Sequence, residues 1–242
     1  MIALSKRLQA VAHLVTPGGV VADIGCDHAH LAMYLYENSL CKSVIACDVN
    51  DGPIEIARQN IAAAGYANAI CVRKADGLSG LSVAEADSIV IAGMGGRLII
   101  RIIEEGLSRI DDNCELILQP QSDVGEVRRF LDLKGFAIVK EDIVFEDGKF
   151  YPMIKSSPKS NCAVMKYVND ADYEYGGFLI RTHHPVLIDF LRYKKSVLTK
   201  ILGSIDENGG GKKSNDKRGD IVKELELVET TLVDITQKGE GL

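Results

Sequence analysis

The chain has no C-x-x-C pair, no excess of positive charge, and no apolar stretch near the roughly 18 residues that a membrane helix requires. Its six cysteines, Cys26, Cys41, Cys47, Cys71, Cys114 and Cys162, are scattered. Several lie in apolar runs, where a thiol behaves as a small hydrophobe, so neither a disulfide framework nor a metal site is expected and a reducing compartment fits. Lys6 and Arg7 open the chain, but Gln9 and His13 interrupt the apolar residues up to Val15, so a signal-peptide core is lacking. These absences predict a cytoplasmic protein with no membrane or metal partner, and a monomer is the expected state. A formal net charge of −6 excludes whole-surface attraction to polyanions; any nucleic-acid contact must come from a local patch.

What is present is alternation. An amphipathic opening helix carries Leu4, Leu8, Val11 and Val15 at helical spacing and closes at Thr16-Pro17-Gly18-Gly19. Strands are expected at 20–24, 43–48, 69–75, 86–92 and 114–118, each followed by a turn and, after four of them, a helical pattern. Two longer strands, 136–145 and 150–156, flank Glu146-Asp147-Gly148-Lys149, a hairpin signal. Five β-α units and a final hairpin predict a parallel sheet covered by helices on both faces, closed by an antiparallel pair. After Pro158 the pattern changes to two helices, 186–205 and 221–235, the second with apolar residues spaced 4, 3, 4, 3, joined by a Gly-rich break at 207–215. The expected domains are 1–158, an α/β domain, and 159–242, a coiled-coil-like helical hairpin.

The first strand runs into Asp23-Ile24-Gly25-Cys26-Asp27-His28-Ala29-His30-Leu31. A strand-turn-helix of this form places a ligand above the turn. A dinucleotide site wants G-x-G-x-x-G; here the positions hold Gly25, Asp27 and His30, and a carboxylate at Asp27 would repel a pyrophosphate. A cationic ligand without phosphate would instead be attracted, and S-adenosylmethionine, with its sulfonium and ammonium groups, is one. Asp48, followed by Val49, ends the second strand twenty-three residues after Gly25, about where an acid accepts ribose hydroxyls in doubly wound folds. Asp76-Gly77 ends the third, where an acid can accept an adenine amino group. Asp23, Asp48 and Asp76 thus meet at one carboxyl edge. Gly93-Met94-Gly95-Gly96, after the fourth strand, lets a flat base approach the backbone closely. Each feature also has a plain reading: a turn, a helix cap or a linker.

Taken together, Asp23 through Leu31, Ala92-Gly93-Met94-Gly95-Gly96, Gln119-Pro120 and the opening Leu4-Ser5-Lys6-Arg7-Leu8 resemble the bacterial tRNA adenine-N1 methyltransferases of the TrmK type. The resemblance covers essentially the whole chain, with His30 and Ala32 where the family is expected to have tyrosine and proline. It implies a class I methyltransferase, a Rossmann-like seven-stranded sheet with a C-terminal helical hairpin. The implied activity is methylation of N1 of the adenine at tRNA position 22. It also implies that Gly25, Asp27, Asp48, Asp76 and Met94 line an S-adenosylmethionine site.

Methylation at N1 leaves a positively charged adenine, so Asp27 is a candidate to stabilise that charge. His28 is a candidate contact to base or phosphate, and Arg7 a candidate to hold a tRNA phosphate. Gly95 and Gly96 are candidates to meet the substrate base. The helical hairpin supplies a basic patch: Arg192 to Arg218 holds eight Lys or Arg and three acids, with Lys212, Lys213, Lys217 and Arg218 at the tip. Such a patch would grip phosphates without reading sequence. A small-molecule or protein substrate needs no such arm, decay to a non-catalytic RNA-binding protein conflicts with three intact strand-end acids, and a dinucleotide redox enzyme conflicts with Asp27.

Overall fold

A computed structural model describes residues 2–158, 165–207 and 212–237, without the side chains of 212–215. The chain divides into two compact units, Met1–Lys166 and Tyr167–Leu242.

In the first unit, helix α1 (Lys6–Leu14) is capped twice at its start. Ser5 Oγ accepts from the Leu8 amide (3.3 Å), and the Glu146 carboxylate accepts from the amides of Lys6 (2.6 Å) and Arg7 (3.2 Å). These contacts hold Glu146 below the usual carboxylate range although burial works against them. Strand β1 (Val20–Ile24), helix α2 (His30–Glu37), strand β2 (Ser43–Asp48), helix α3 (Asp51–Ala64) and strand β3 (Ile70–Lys74) form the first half of the sheet. Strand β4 (Ser88–Met94), helix α4 (Gly96–Gly106), strand β5 (Glu115–Pro120), helix α5 (Val124–Leu133) and the hairpin β6 (Phe136–Glu146) and β7 (Lys149–Pro158) complete it. The order is β3-β2-β1-β4-β5-β7-β6, parallel through β5 and antiparallel at β7 and β6. Runs such as Val20–Ile24 and Ser88–Ile91 lack polar alternation because helices cover both faces, and Val21, Ala22, Ile89, Val90 and Ile91 are buried. Each such Val or Ile side chain is worth about 1.5–3 kcal/mol.

Among the boundaries that differ from the sequence expectation, those of α2, β4 and β5 have local reasons. Helix α2 begins at His30, not near His28, because Asp27 (φ 51°) and Ala29 (φ 60°) are left-handed. Strands β4 and β5 run on to Met94 and Pro120, with the register shifting between Ala92 and Met94 around Gly93 (φ 79°). Two of the expected loop glycine-motif residues, Gly93 and Met94, therefore belong to the sheet edge. The chain passes from β1 outward to β3, then crosses back to β4 on the other side, so β1 and β4 flank the switch point.

In the second unit, a π-helical turn (Asp172–Gly176) and helix α6 (Gly177–Arg181) precede α7 (Pro185–Glu207) and α8 (Lys212–Gln237). His183 Nδ1 lies 2.7 Å from the Ile235 carbonyl, Lys195 Nζ 2.9 Å from Glu229, and Arg218 Nε 2.7 Å from Asp206. Residue numbers rise along α7 as they fall along α8, which makes the pair antiparallel. Leu187, Leu191 and Leu198 bury against Val228 and Ile235 in the seam. Helix α8 starts nine residues before the expected 221, so the Gly-rich break is shorter than its composition suggests; its residues 208–211 lie outside the described residues.

Candidate active site

At the carboxyl ends of β1, β2, β3 and β4 lies a crevice of about 530 Å³. All the residues expected from the sequence to hold a cofactor line it: Asp23, Gly25, Asp27, Asp48, Val49, Asp76, Gly77, Gly93 and Met94. Arg7 and His28 line it as well.

The floor is built from the turn after β1. The amides of Gly25 and Cys26 both donate to the Cys47 carbonyl (2.8 and 2.9 Å), tying the turn to β2. Gly25 has φ 74°, and a Cβ there would lie 2.2 Å from the Met94 methyl carbon, so the methionine closes over the glycine from the neighbouring strand β4. Asp48 joins the two loops. Its Oδ1 accepts from the Asn50 amide (2.9 Å) and its Oδ2 from the Asp27 amide (3.3 Å). Each oxygen keeps a further lone pair for a ligand hydroxyl.

Asp23 is the deepest acid, 3% exposed, and its Oδ2 has no hydrogen-bond partner among the described residues. Burial raises its carboxyl from the usual 3.8 to about 7, opposed by the Ala32 amide and reinforced by the negative Asp48. An acid left this way at a crevice wall suits a cationic ligand. Burial and the same two acids push the Cys26 thiol far above its ordinary range, so it stands in the wall as a hydrophobe, not a nucleophile.

Asp27 and His28 sit higher. Their side chains approach to 3.5 Å and are 73% and 40% exposed. The His28 ring meets His30 edge-on at 5.9 Å. Arg7 reaches in from α1: Nη1 donates to Gln119 Oε1 (2.8 Å), and the guanidinium lies 5.5 Å from the centre of the Tyr151 ring.

The sequence reading missed one wall. Leu98, Arg101 and Ile102, at i, i+3 and i+4 on α4, line the crevice opposite the β2 end. Val49 and Leu98 remain 52% and 38% exposed, apolar surfaces able to hold a flat base. Conversely, Gly95 and Gly96 do not line the crevice. The Gly96 amide donates to the Ser122 carbonyl (3.1 Å), and a Cβ at Gly96 would lie 2.5 Å from that oxygen. Gly96 therefore serves the close start of α4 against the segment before α5.

The basic tip is partly spent on the hairpin itself. Arg218 is paired to Asp206, while Lys217 is exposed. The side chains of Lys212 and Lys213 lie outside the described residues. Among the described residues no cluster of His, Cys, Asp and Glu could hold a metal, and no helix is long and apolar enough to cross a membrane.

A doubly wound sheet with a reversed last pair, and an acid-lined crevice at its switch point, place the chain among the class I S-adenosylmethionine-dependent methyltransferases. More narrowly, it belongs to the tRNA (adenine(22)-N(1))-methyltransferase family, TrmK, whose family model matches residues 21–230. The tRNA (adenine(22)-N(1))-methyltransferase of Bacillus subtilis is 32% identical over 95% of this chain and 97% of its own length. The crystal structure of that B. subtilis M1A22 tRNA methyltransferase matches with a TM-score of 0.85 at 31% identity, covering 96% of this chain and all of the other. Streptococcus pneumoniae Sp1610, solved with S-adenosyl-L-methionine, matches with a TM-score of 0.83 at 34% identity, covering 95% of this chain and all of the other.

Proposed function

We propose that the crevice binds S-adenosylmethionine through its strand-end acids and that the chain methylates N1 of adenine 22 in tRNA. The observation that carries the cofactor assignment is the buried, unpartnered Asp23 oxygen beside Asp48 and Asp76 in one crevice. When bound, S-adenosylmethionine supplies a methyl group already activated on a sulfonium.

The chain's residues then bind and orient. Asp48 accepts the ribose hydroxyls, Asp76 the adenine amino group, and Val49, Leu98 and Ile102 enclose the adenine. Asp23 answers the ammonium charge. Gly93 and Met94 border the methyl end, and Gly25 and Gly77 keep the backbone close beneath. An unpaired adenine offers a free N1 lone pair, so the chain need not remove a proton before transfer; positioning and exclusion of water do most of the work. The base must leave its stack to enter. Asp27, exposed and paired loosely with His28, faces the positive charge that develops on the base. Arg7 holds a tRNA phosphate, and the tip residues Lys212, Lys213 and Lys217 hold others. The protein works on tRNA in the cytoplasm as a monomer.

Incubation with labelled S-adenosylmethionine and an unmodified tRNA transcript, followed by nucleoside analysis, tests this. The expected product is 1-methyladenosine, absent when position 22 is guanosine. Label at another position, or none, overturns it.

A further inference from the structure

Gln119 has no exposed surface, yet its amide sits at the end of a buried apolar strand. A buried amide must find partners, and these are informative. Its Oε1 accepts two hydrogen bonds, from Arg7 Nη1 at 2.8 Å and from the Gly93 amide at 3.1 Å, while its Nε2 donates to the Pro120 carbonyl at 3.1 Å. The Gly93 amide is available because the β4–β5 register shifts there. One side chain therefore fixes both the bulge bordering the crevice and the arginine above it. Arg7 is held further by Tyr151 and by its packing on Gly93, where a Cβ would come within 3.5 Å of Nη1.

We infer that Gln119 is a positioning residue that presents Arg7, already oriented, to a tRNA phosphate next to the target adenine. This rests on tRNA being the substrate. Charge logic selects phosphate over base as the partner of Arg7. Methylation at N1 makes the base cationic, and a guanidinium against it would oppose the transition state, whereas a flanking phosphate is attracted throughout. A free arginine loses much rotamer freedom on gripping a phosphate; one locked in advance by Gln119 loses less.

The test is the salt dependence of binding. Equilibrium Kd for an unmodified tRNA transcript is measured against salt concentration for wild type, Arg7→Met, Gln119→Met and the double variant, with S-adenosylmethionine affinity measured alongside by calorimetry. Removing one phosphate contact lowers the slope of log Kd against log salt by about 0.7–0.9. Arg7→Met is expected to do so and to weaken binding about tenfold. Gln119→Met, which removes no charge, is expected to lower the slope equally, and the double variant to be no weaker than either single one. A wild-type slope in Gln119→Met, or additive losses in the double variant, overturns the inference. Should Gln119→Met lose cofactor affinity through a disturbed bulge, Gln119→Glu decides. It keeps both acceptor contacts and cancels the arginine charge, so it is expected to lower the slope with the cofactor still bound, and an unchanged slope overturns the inference. A wild-type protein that forms no 1-methyladenosine would instead refute the parent reading.

Discussion

Removing the charge of Asp23 should stabilise the protein while weakening its cofactor site. The carboxyl lies at about 7 in the folded chain against 3.8 ordinarily, with burial as the main cause. Below pH 4 both folded and unfolded forms are protonated, and the residue is neutral to stability. Between 4 and 7 the unfolded chain releases a proton that the folded chain retains, so stability falls as pH rises. Above 7 the full cost stands, about 4 kcal/mol at 1.36 kcal/mol per pH unit. Asp23→Asn abolishes that cost. In urea denaturation without cofactor, the variant should exceed wild type by about 4 kcal/mol at pH 8 but by only about 2 kcal/mol at pH 5, once the difference between an amide and a neutral acid is set aside. The change in the advantage between the two pH values is the decisive quantity, because any constant packing difference cancels. An advantage independent of pH would refute the argument that Asp23 is held protonated by burial. The same carboxyl should ionise when a cation binds beside it. S-adenosylmethionine affinity in the wild type should therefore rise with pH through 7, and calorimetry in two buffers should show proton release.

Asp48→Ala deletes the acceptor proposed for two ribose hydroxyls and frees the amides of Asn50 and Asp27. At about 1.5–3 kcal/mol per charged hydrogen bond, S-adenosylmethionine Kd should rise at least tenfold by calorimetry. Gly25→Ala places a methyl against Met94 and a side chain at φ 74°, so cofactor binding should be lost with the circular-dichroism spectrum retained. Adding Met94→Ala should not restore it, since the backbone strain remains. Replacing Lys212, Lys213 and Lys217 with serine should weaken tRNA binding about tenfold and flatten its salt dependence, with cofactor affinity unchanged.

The acids were legible because a parallel α/β sheet puts the carboxyl ends of its strands on one edge, so chain order alone gathers Asp23 near the end of β1, Asp48 at the end of β2 and Asp76 just past β3. The α4 wall was not. Leu98, Ile99, Ile102 and Ile103 share one face of α4, with Arg97, Arg101, Glu104 and Glu105 on the other; that pattern announces a helix packed on a core, and nothing in it says that one edge of the face borders a crevice. Tertiary packing supplies the rest: Gly106 admits Leu78 of the 3₁₀ turn Gly77–Gly80, where a Cβ would lie 2.5 Å away, and Leu98, Arg101 and Ile102 line the crevice. Gln119 left a signal that could have been read, a lone amide directly after the apolar run Leu116-Ile117-Leu118. A polar group there needs buried partners, but which ones depends on α1 lying across the sheet ends, a contact more than a hundred residues distant in sequence. Gly96 was ambiguous because a glycine that admits a ligand and one that admits a neighbouring carbonyl, here that of Ser122, have the same letter.

On the proposed reading a cationic donor and a polyanionic substrate share this crevice, and the acids that attract one repel the other. Depth resolves the conflict. Asp23 and Asp48 are buried at the strand ends, where low polarisability strengthens their pull on a nearby cation. Arg7 stands on α1, only half-buried, and Gln119 ties it to the sheet so that it does not collapse onto those acids. Transfer of the methyl group moves one positive charge from donor to base and leaves the total unchanged. The carboxylates can thus remain in place through the reaction, with no change in their own protonation, and the exposed Asp27 is the acid proposed to meet the charge on the base. On that reading the acids hold the donor, the guanidinium holds the substrate, and the transfer itself leaves no proton to be relayed.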